Sequence, residues 1–242
     1  MKLAAVQLKS VKGNIEFNIS RHIHAVNLAA GENADFIIFP ELSVTGYEPS
    51  LADQLAMDLY DNRLTSFQLS ADQKNICIAI GIPTKDAAGV YISMAIFRPA
   101  QERLVYSKKY LHADEYPYFS SGNNFPVIEI SNKKIAPAIC YELSVPEHKD
   151  AAIKAGADIY VASVAKTAAG VDNAARILSL TAEQYQIPVL MCNAIGPADD
   201  FINAGCSAAW KRDGSLLAEL GSDMEAILFI DSERETAYSI SL

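Results

Sequence analysis

The chain has 242 residues, half of them apolar, with 20 basic and 29 acidic side chains and a formal net charge of −9. A chain of this size buries roughly 70% of its unfolded surface, and its composition excludes disordered, collagenous and disulfide-miniprotein classes. The negative charge argues against general affinity for nucleic acid or an anionic membrane, both of which need a positive field, and leaves a small molecule as the expected partner. No stretch approaches the roughly 20 apolar residues of a membrane helix. The apolar run at residues 3–8, interrupted by Gln7, is too short for a signal peptide. Cys77, Cys140, Cys192 and Cys206 lie far apart without metal-type spacing, so free thiols in a cytoplasmic protein are expected. No linker, repeat or low-complexity tract divides the chain, which reads as one domain over residues 1–242.

In chain order, residues 3–8, 35–39, 76–82, 90–97, 104–108, 127–130, 135–140, 159–164 and 188–192 are short apolar or alternating runs that read as strands, many buried on both faces. Ile15, Ile19, Ile23, Val26 and Ala30 step by three or four, which predicts a helix over 14–30 stopped by Gly31. A second helix is expected to begin at Pro146 and Glu147, and a third fits 172–186. Residues 208–230, with a turn at Asp213 and Gly214, read as a β-hairpin. Strands alternating with helices imply an α/β architecture.

Three strand ends carry chemistry where a structural strand would simply turn. The first apolar strand with a proline stop presents Glu41 directly after Pro40. Ligands in α/β sheets collect at such ends, although a lone strand-end glutamate is more often merely solvated. In the second, strand alternation puts Lys108, rather than Lys109, on the face of Leu104 and Tyr106, with Asp114 and Glu115 close behind. An ammonium there needs carboxylate partners; the bland alternative is a lysine snorkelling to water. In the third, a strand ends at Cys140 just before a turn into a helix, a geometry like a nucleophile elbow, where the next backbone N–H can stabilise an oxyanion. A lone cysteine is otherwise most often inert packing, and Cys77, Cys192 and Cys206 are read that way. His22, His24 and His148 read as surface or packing residues, and Trp210 as packing; His112 stays open.

Taken in order, Phe39-Pro40-Glu41, Tyr106-x-Lys108-x-x-Leu111 with Glu115, and Cys140-Tyr141-Glu142-Leu143-x-x-Pro146-Glu147 resemble the nitrilase, or carbon-nitrogen hydrolase, superfamily. The likeness covers nearly the whole chain, from the strand at Leu3 to Asn193-Ala194-Ile195-Gly196 and Gly205-Cys206-Ser207. It implies a four-layer α-β-β-α sandwich, a triad of Glu41, Lys108 and Cys140 with Glu115 as second glutamate, and a homo-oligomer. The residue types suit amide hydrolysis through a thioester. Cys140 would attack, its pKa lowered by Lys108, and Glu41 would move protons. Lys108 and the backbone N–H of Tyr141 would hold the oxyanion. Glu115 would orient Lys108 or the substrate.

The substrate is less defined. Branches that hydrolyse N-carbamoyl amino acids use an arginine four residues after the nucleophile, and this chain has Ser144 there. Lys166 enters the pocket mouth or is simply solvated, and so is Arg176; both leave a carboxylate-bearing substrate open. Tyr116, Tyr118 and Phe119 wall the pocket or pack beneath a loop. A small amide is favoured over a nitrile on family analogy. The alternatives are nitrile or N-carbamoyl hydrolysis, acyl transfer to an acceptor other than water, and a non-catalytic small-molecule binder. A redox thiol protein lacks support without a Cys-x-x-Cys pair. No phosphate loop, zinc cluster or dinucleotide fingerprint is seen, so no cofactor is expected.

Overall fold

Alternating side chains explain how the first strands enter the fold. In the computed structural model, which describes residues 1–125 and 127–242, β1 is Lys2–Gln7, β2 Phe36–Ile38, β3 Cys77–Asp86, β4 Gly89–Phe97 and β5 Leu104–Ser107. They are connected by α1 (Ile15–Gly31), α2 (Ala52–Leu55) and α3 (Thr65–Lys74). Leu3, Ala5, Phe36 and Ile38 face one way. Ala4, Val6, Ile37 and Phe39 face the other, packing with Ile19 and Val26 of α1 and Phe67 of α3.

The second half repeats this logic. β6 is Ile128–Ile130, β7 Lys133–Ile139, β8 Ile159–Val164 and β9 Val189–Asn193, joined by α4 (Pro146–Lys154) and α5 (Ala168–Tyr185). β10 (Ile195–Ala198) and β11 (Phe201–Ala204) form a ribbon, followed by β12 (Ala208–Trp210), β13 (Leu216–Glu219), β14 (Ala226–Asp231) and β15 (Thr236–Ser241). Tyr160, Ala162 and Val164 pack on Val171, Ala174 and Leu178 of α5. Ile159 and Val161 point instead to the face shared with Leu3 and Ile38.

Among the described residues, the strand orders are β15-β14-β1-β2-β3-β4-β5 and β13-β12-β9-β8-β7-β6. The two sheets share one apolar interior, with helices outside each, which is the expected α-β-β-α sandwich. β1, β2 and β3 run parallel, as do β7, β8 and β9. Their carboxyl ends meet where the sheets are tied together. Ser163 Oγ donates to Phe39 O at 2.7 Å, and Ser207 N donates to Gln7 Oε1 at 2.9 Å.

Several expectations need correction. The hairpin at 208–230 is formed only by β12 and β13; β14 crosses to the other sheet and pairs with β1. Both faces of β14 are apolar, with Leu228 and Ile230 inside and Ile227 and Phe229 toward α1, so a central position is needed to bury them. Gly31 is the last residue of α1 rather than its stop, and the chain reverses at Asn33, with φ 57°. α5 begins at Ala168 because Thr167 Oγ1 accepts from Gly170 N, a cap that the apolar spacing did not disclose. α3, β15 and the β10–β11 ribbon were not anticipated.

Buried polar groups on α1 fix the loop after β2. Asn18 Nδ2 donates to Val44 O at 2.9 Å, and His22 Nε2 lies 2.9 Å from Ser43 Oγ. His148, on α4, is buried between the hydroxyls of Tyr106 and Tyr160, each 3.0 Å away. Burial lowers both imidazoles from 6.5 to about 4, so each folds neutral. The stability linked to this is fully present above pH 6.5 and is lost as pH falls toward 4, where the unfolded chain takes up the protons first; each shift is worth roughly 3 kcal/mol. The urea midpoint is therefore expected to fall between about pH 7 and about pH 4.5, and His22→Asn to flatten that slope.

Candidate active site

Each reactive side chain sits just beyond the end of a strand. Glu41 follows β2 on a loop that lies against β3: Phe39 N donates to Ala79 O, and Val44 N to Gly81 O at 3.1 Å. Glycine is required beneath it, since a Cβ at Gly81 would lie 2.4 Å from Pro40 O and from Leu42 N. Lys108 continues β5, its N–H donating to Ile92 O at 2.8 Å, and its side chain is fully buried, whereas Lys109 is exposed. Cys140 follows β7 with φ 46°, a left-handed conformation for a non-glycine residue, and opens a 3₁₀ turn over Cys140–Ser144. Such a strained turn costs about 1–3 kcal/mol and lifts the side chain off the strand.

These ends converge. Lys108 Nζ donates to Glu41 Oε1 at 2.8 Å and to Glu115 Oε1 at 2.6 Å. All three side chains are at most 2% exposed. Tyr47 OH donates to the same oxygen of Glu115 at 3.0 Å, and His112 N donates to its other oxygen at 2.8 Å. Glu41 Oε2 is buried and has no hydrogen-bond partner among the described residues. The Cys140 thiol is close enough to favour its charged form.

Electrostatics sets the resting protonation. Burial opposes the Lys108 charge, but Glu41, Cys140 and Glu115 outweigh it and hold the ammonium above its ordinary 10.5. Burial raises the Glu41 carboxyl above 4.5, against the pull of Lys108 and with a further push from Glu115. Burial and Glu41 raise the Cys140 thiol above 9.0, and Lys166 and Lys108 recover only part of this. Lys108 pulls the Cys140 pKa down, as expected, but burial and Glu41 outweigh that pull. The sulfur therefore rests as a thiol, kept so by burial first and by the Glu41 charge second, and needs a base.

A cavity of about 290 Å³ opens over Cys140, lined also by Tyr47, Glu115, Tyr141, Lys166 and Phe201. Tyr141 and Lys166 thus reach the cavity. Tyr116 does not: it is 62% exposed and outside this lining, because the Leu111, Glu115 and Phe119 side of its turn faces inward. Tyr118 is likewise exposed, Phe119 packs in the core, and the walls come instead from Tyr47 and Phe201. Arg176 is exposed and binds Asn173. A larger polar hollow near Lys85 and Asn124 lies away from these groups. Among the described residues, no cluster suited to a metal ion occurs.

Glu142 is the residue that reading the sequence missed. It is fully buried and accepts from Lys109 N at 2.7 Å, Ile139 N at 2.9 Å and Tyr106 OH at 2.6 Å. One carboxylate therefore ties the backbone beside Lys108 to the backbone before Cys140. Its position two residues after the cysteine gave no sign of this, since Lys109 N and Tyr106 OH, which tie it to the other strand end, lie more than 30 residues away in sequence. Glu142→Gln places an amide donor among these N–H donors and is expected to cost about 1–3 kcal/mol of stability by urea titration.

Comparison with known proteins follows the same geometry. A family model described as Carbon-nitrogen hydrolase matches residues 2–241. An (R)-stereoselective amidase from Pseudomonas sp. is 27% identical over 226 residues, covering 92% of this chain and 82% of that protein. The glutamine-dependent NAD(+) synthetase of Acinetobacter baylyi is 29% identical, but 97% of this chain covers only 44% of it. The chain thus spans under half the length of that synthetase. The amidase from Nesterenkonia sp. AN1, solved in complex with acrylamide, superposes with a TM-score of 0.87 at 22% identity, over 96% of this chain and 90% of that one. At that identity the likeness is one of fold.

Proposed function

The chain belongs to the carbon-nitrogen hydrolase family, and we propose that it hydrolyses a small amide through a thioester on Cys140, with residues 1–242 acting as one catalytic unit. The observation that carries this reading is the division of labour on Glu41. One oxygen is held by Lys108, while the other is buried, unpartnered among the described residues and beside a thiol that rests protonated. A carboxyl whose pKa is raised by burial is a better proton acceptor than a free one.

In the proposed sequence, Glu41 Oε2 takes the thiol proton as the sulfur attacks the amide carbon. The ammonium of Lys108 has three N–H donors, two of them used by Glu41 and Glu115, so the third is free to meet the developing oxyanion. The backbone N–H of Tyr141 supplies a second donor, at the turn where Cys140 leaves the strand. Glu41 returns the proton to the departing nitrogen, and the carbon–nitrogen bond breaks to give ammonia and a thioester. Glu41 then deprotonates a water that attacks the thioester, and the acid leaves with the thiol restored. Glu115 holds Lys108 in place, oriented in turn by Tyr47 OH and His112 N.

The modest size of the cavity fits a small substrate, at the low end of ligand pockets. The amidase relatives favour an amide over a nitrile. Cys140→Ala is expected to reduce ammonia release from a short aliphatic amide to background, and Glu41→Gln to lower it by about 10²- to 10⁴-fold. Wild-type rates in the Cys140→Ala protein would overturn the reading.

A further inference from the structure

The cavity over Cys140 contains a cation that the proposed chemistry does not use. Lys108 is bonded to two carboxylates, and His112 is paired with Asp114. Lys166 forms no ion pair among the described residues. It is nevertheless held with care. Its N–H donates to Asn193 Oδ1 at 2.9 Å, and its carbonyl accepts from Asn193 Nδ2 at 3.2 Å and from Ala204 N at 2.9 Å. Its stem lies along Gly170, where an added Cβ would come within 3.3 Å of Lys166 Cβ. The preceding residue, Ala165, places its carbonyl 3.9 Å from Cys140 Sγ. The Lys166 charge also pulls the Cys140 thiol pKa down, ahead of Lys108 itself.

Beneath this cavity Glu41 and Glu115 outnumber the one ammonium of Lys108, and Asp114, beside His112, adds a carboxylate to the lining, so the site disfavours a substrate anion unless a cation faces it. Lys166 supplies that cation on one wall. We propose that the substrate carries an anionic group, the carboxylate of a short dicarboxylic acid monoamide, which the Lys166 ammonium binds while the amide carbon lies at Cys140. Tyr47, Tyr141 and Phe201 would flank the intervening methylenes. This inference rests on the amide-hydrolase reading above.

The test compares succinamate and glutaramate with the neutral butyramide and pentanamide. Wild type is expected to favour the anionic amides by about tenfold or more in kcat/KM, the scale of a charge-assisted contact. Lys166→Met preserves the stem on Gly170 and is expected to erase that preference, chiefly through KM for the anionic amides, while Lys166→Arg keeps it. Because the preference is a ratio within each protein, altered thiol acidity cancels. Calorimetric binding of glutaramate to Cys140→Ala, with and without Lys166→Met, reads the subsite independently of turnover. Hydrolysis of all four amides without charge preference would overturn the subsite and leave the amidase reading intact. Lys166-dependent binding of glutaramate with no hydrolysis by wild type would support the subsite and overturn the amidase reading.

Discussion

A dry ammonium held between two carboxylates is the interaction on which the rest depends. Lys108 contributes no stability by being buried; a charge removed from water costs several kcal/mol unless it is paired and hydrogen-bonded. Glu41 and Glu115 supply that pairing from two different stretches of chain, and the lysine in turn opposes the upward push of burial on the Glu41 carboxyl. Each group makes the others' charge states possible, so the three have to be assembled together. The result is a carboxyl group with proton affinity above the ordinary, next to a sulfur that still carries its proton.

The sandwich exists, in this view, to bring strand ends together. β1, β2, β7, β8 and β9 all finish at the same edge of the two sheets, as ligand sites in parallel sheets require. Small and polar residues make the close approach possible. Gly81 lets the Glu41 loop lie directly on β3. Ser163 bridges to Phe39 O across the sheets, and the Cys192 thiol reaches Val6 O and Ile38 O. Asn193 clamps Lys166, and Glu142 locks the Lys108 and Cys140 backbones to one another. These groups touch backbone rather than substrate, yet they fix where every reacting atom lies.

Much of this was legible in the residues, and what was not has physical causes. The strands carried strong signals because most are apolar on both faces, and Lys108 could be distinguished from Lys109 by alternation alone. The partner choice of β14 was hidden: an apolar strand after a turn reads as a hairpin arm, and only the demand to bury its second face sends it to β1. Caps such as Thr167 act through one side-chain contact and leave no periodicity. The net direction of the thiol shift was misjudged because the lysine's pull was weighed without the burial of the sulfur and the nearby Glu41 charge, which together exceed it. The pocket wall was misassigned for a similar reason. Tyr116 is adjacent to Glu115 in sequence, but the turn that buries Glu115 points its neighbour outward, and Phe201 arrives from a ribbon that no periodic pattern announced.

The charge state of Lys108 can be read directly. Nuclear magnetic resonance of ¹⁵N-labelled lysine side chains, assigned by the signal lost in Lys108→Met, follows its ε-nitrogen with pH. The account predicts a slowly exchanging ammonium that stays protonated above the ordinary lysine value of 10.5 for as long as the chain remains folded. A neutral amine, or titration below that value, would show that the carboxylates do not hold the charge, and the proton route through Glu41 would fall with it.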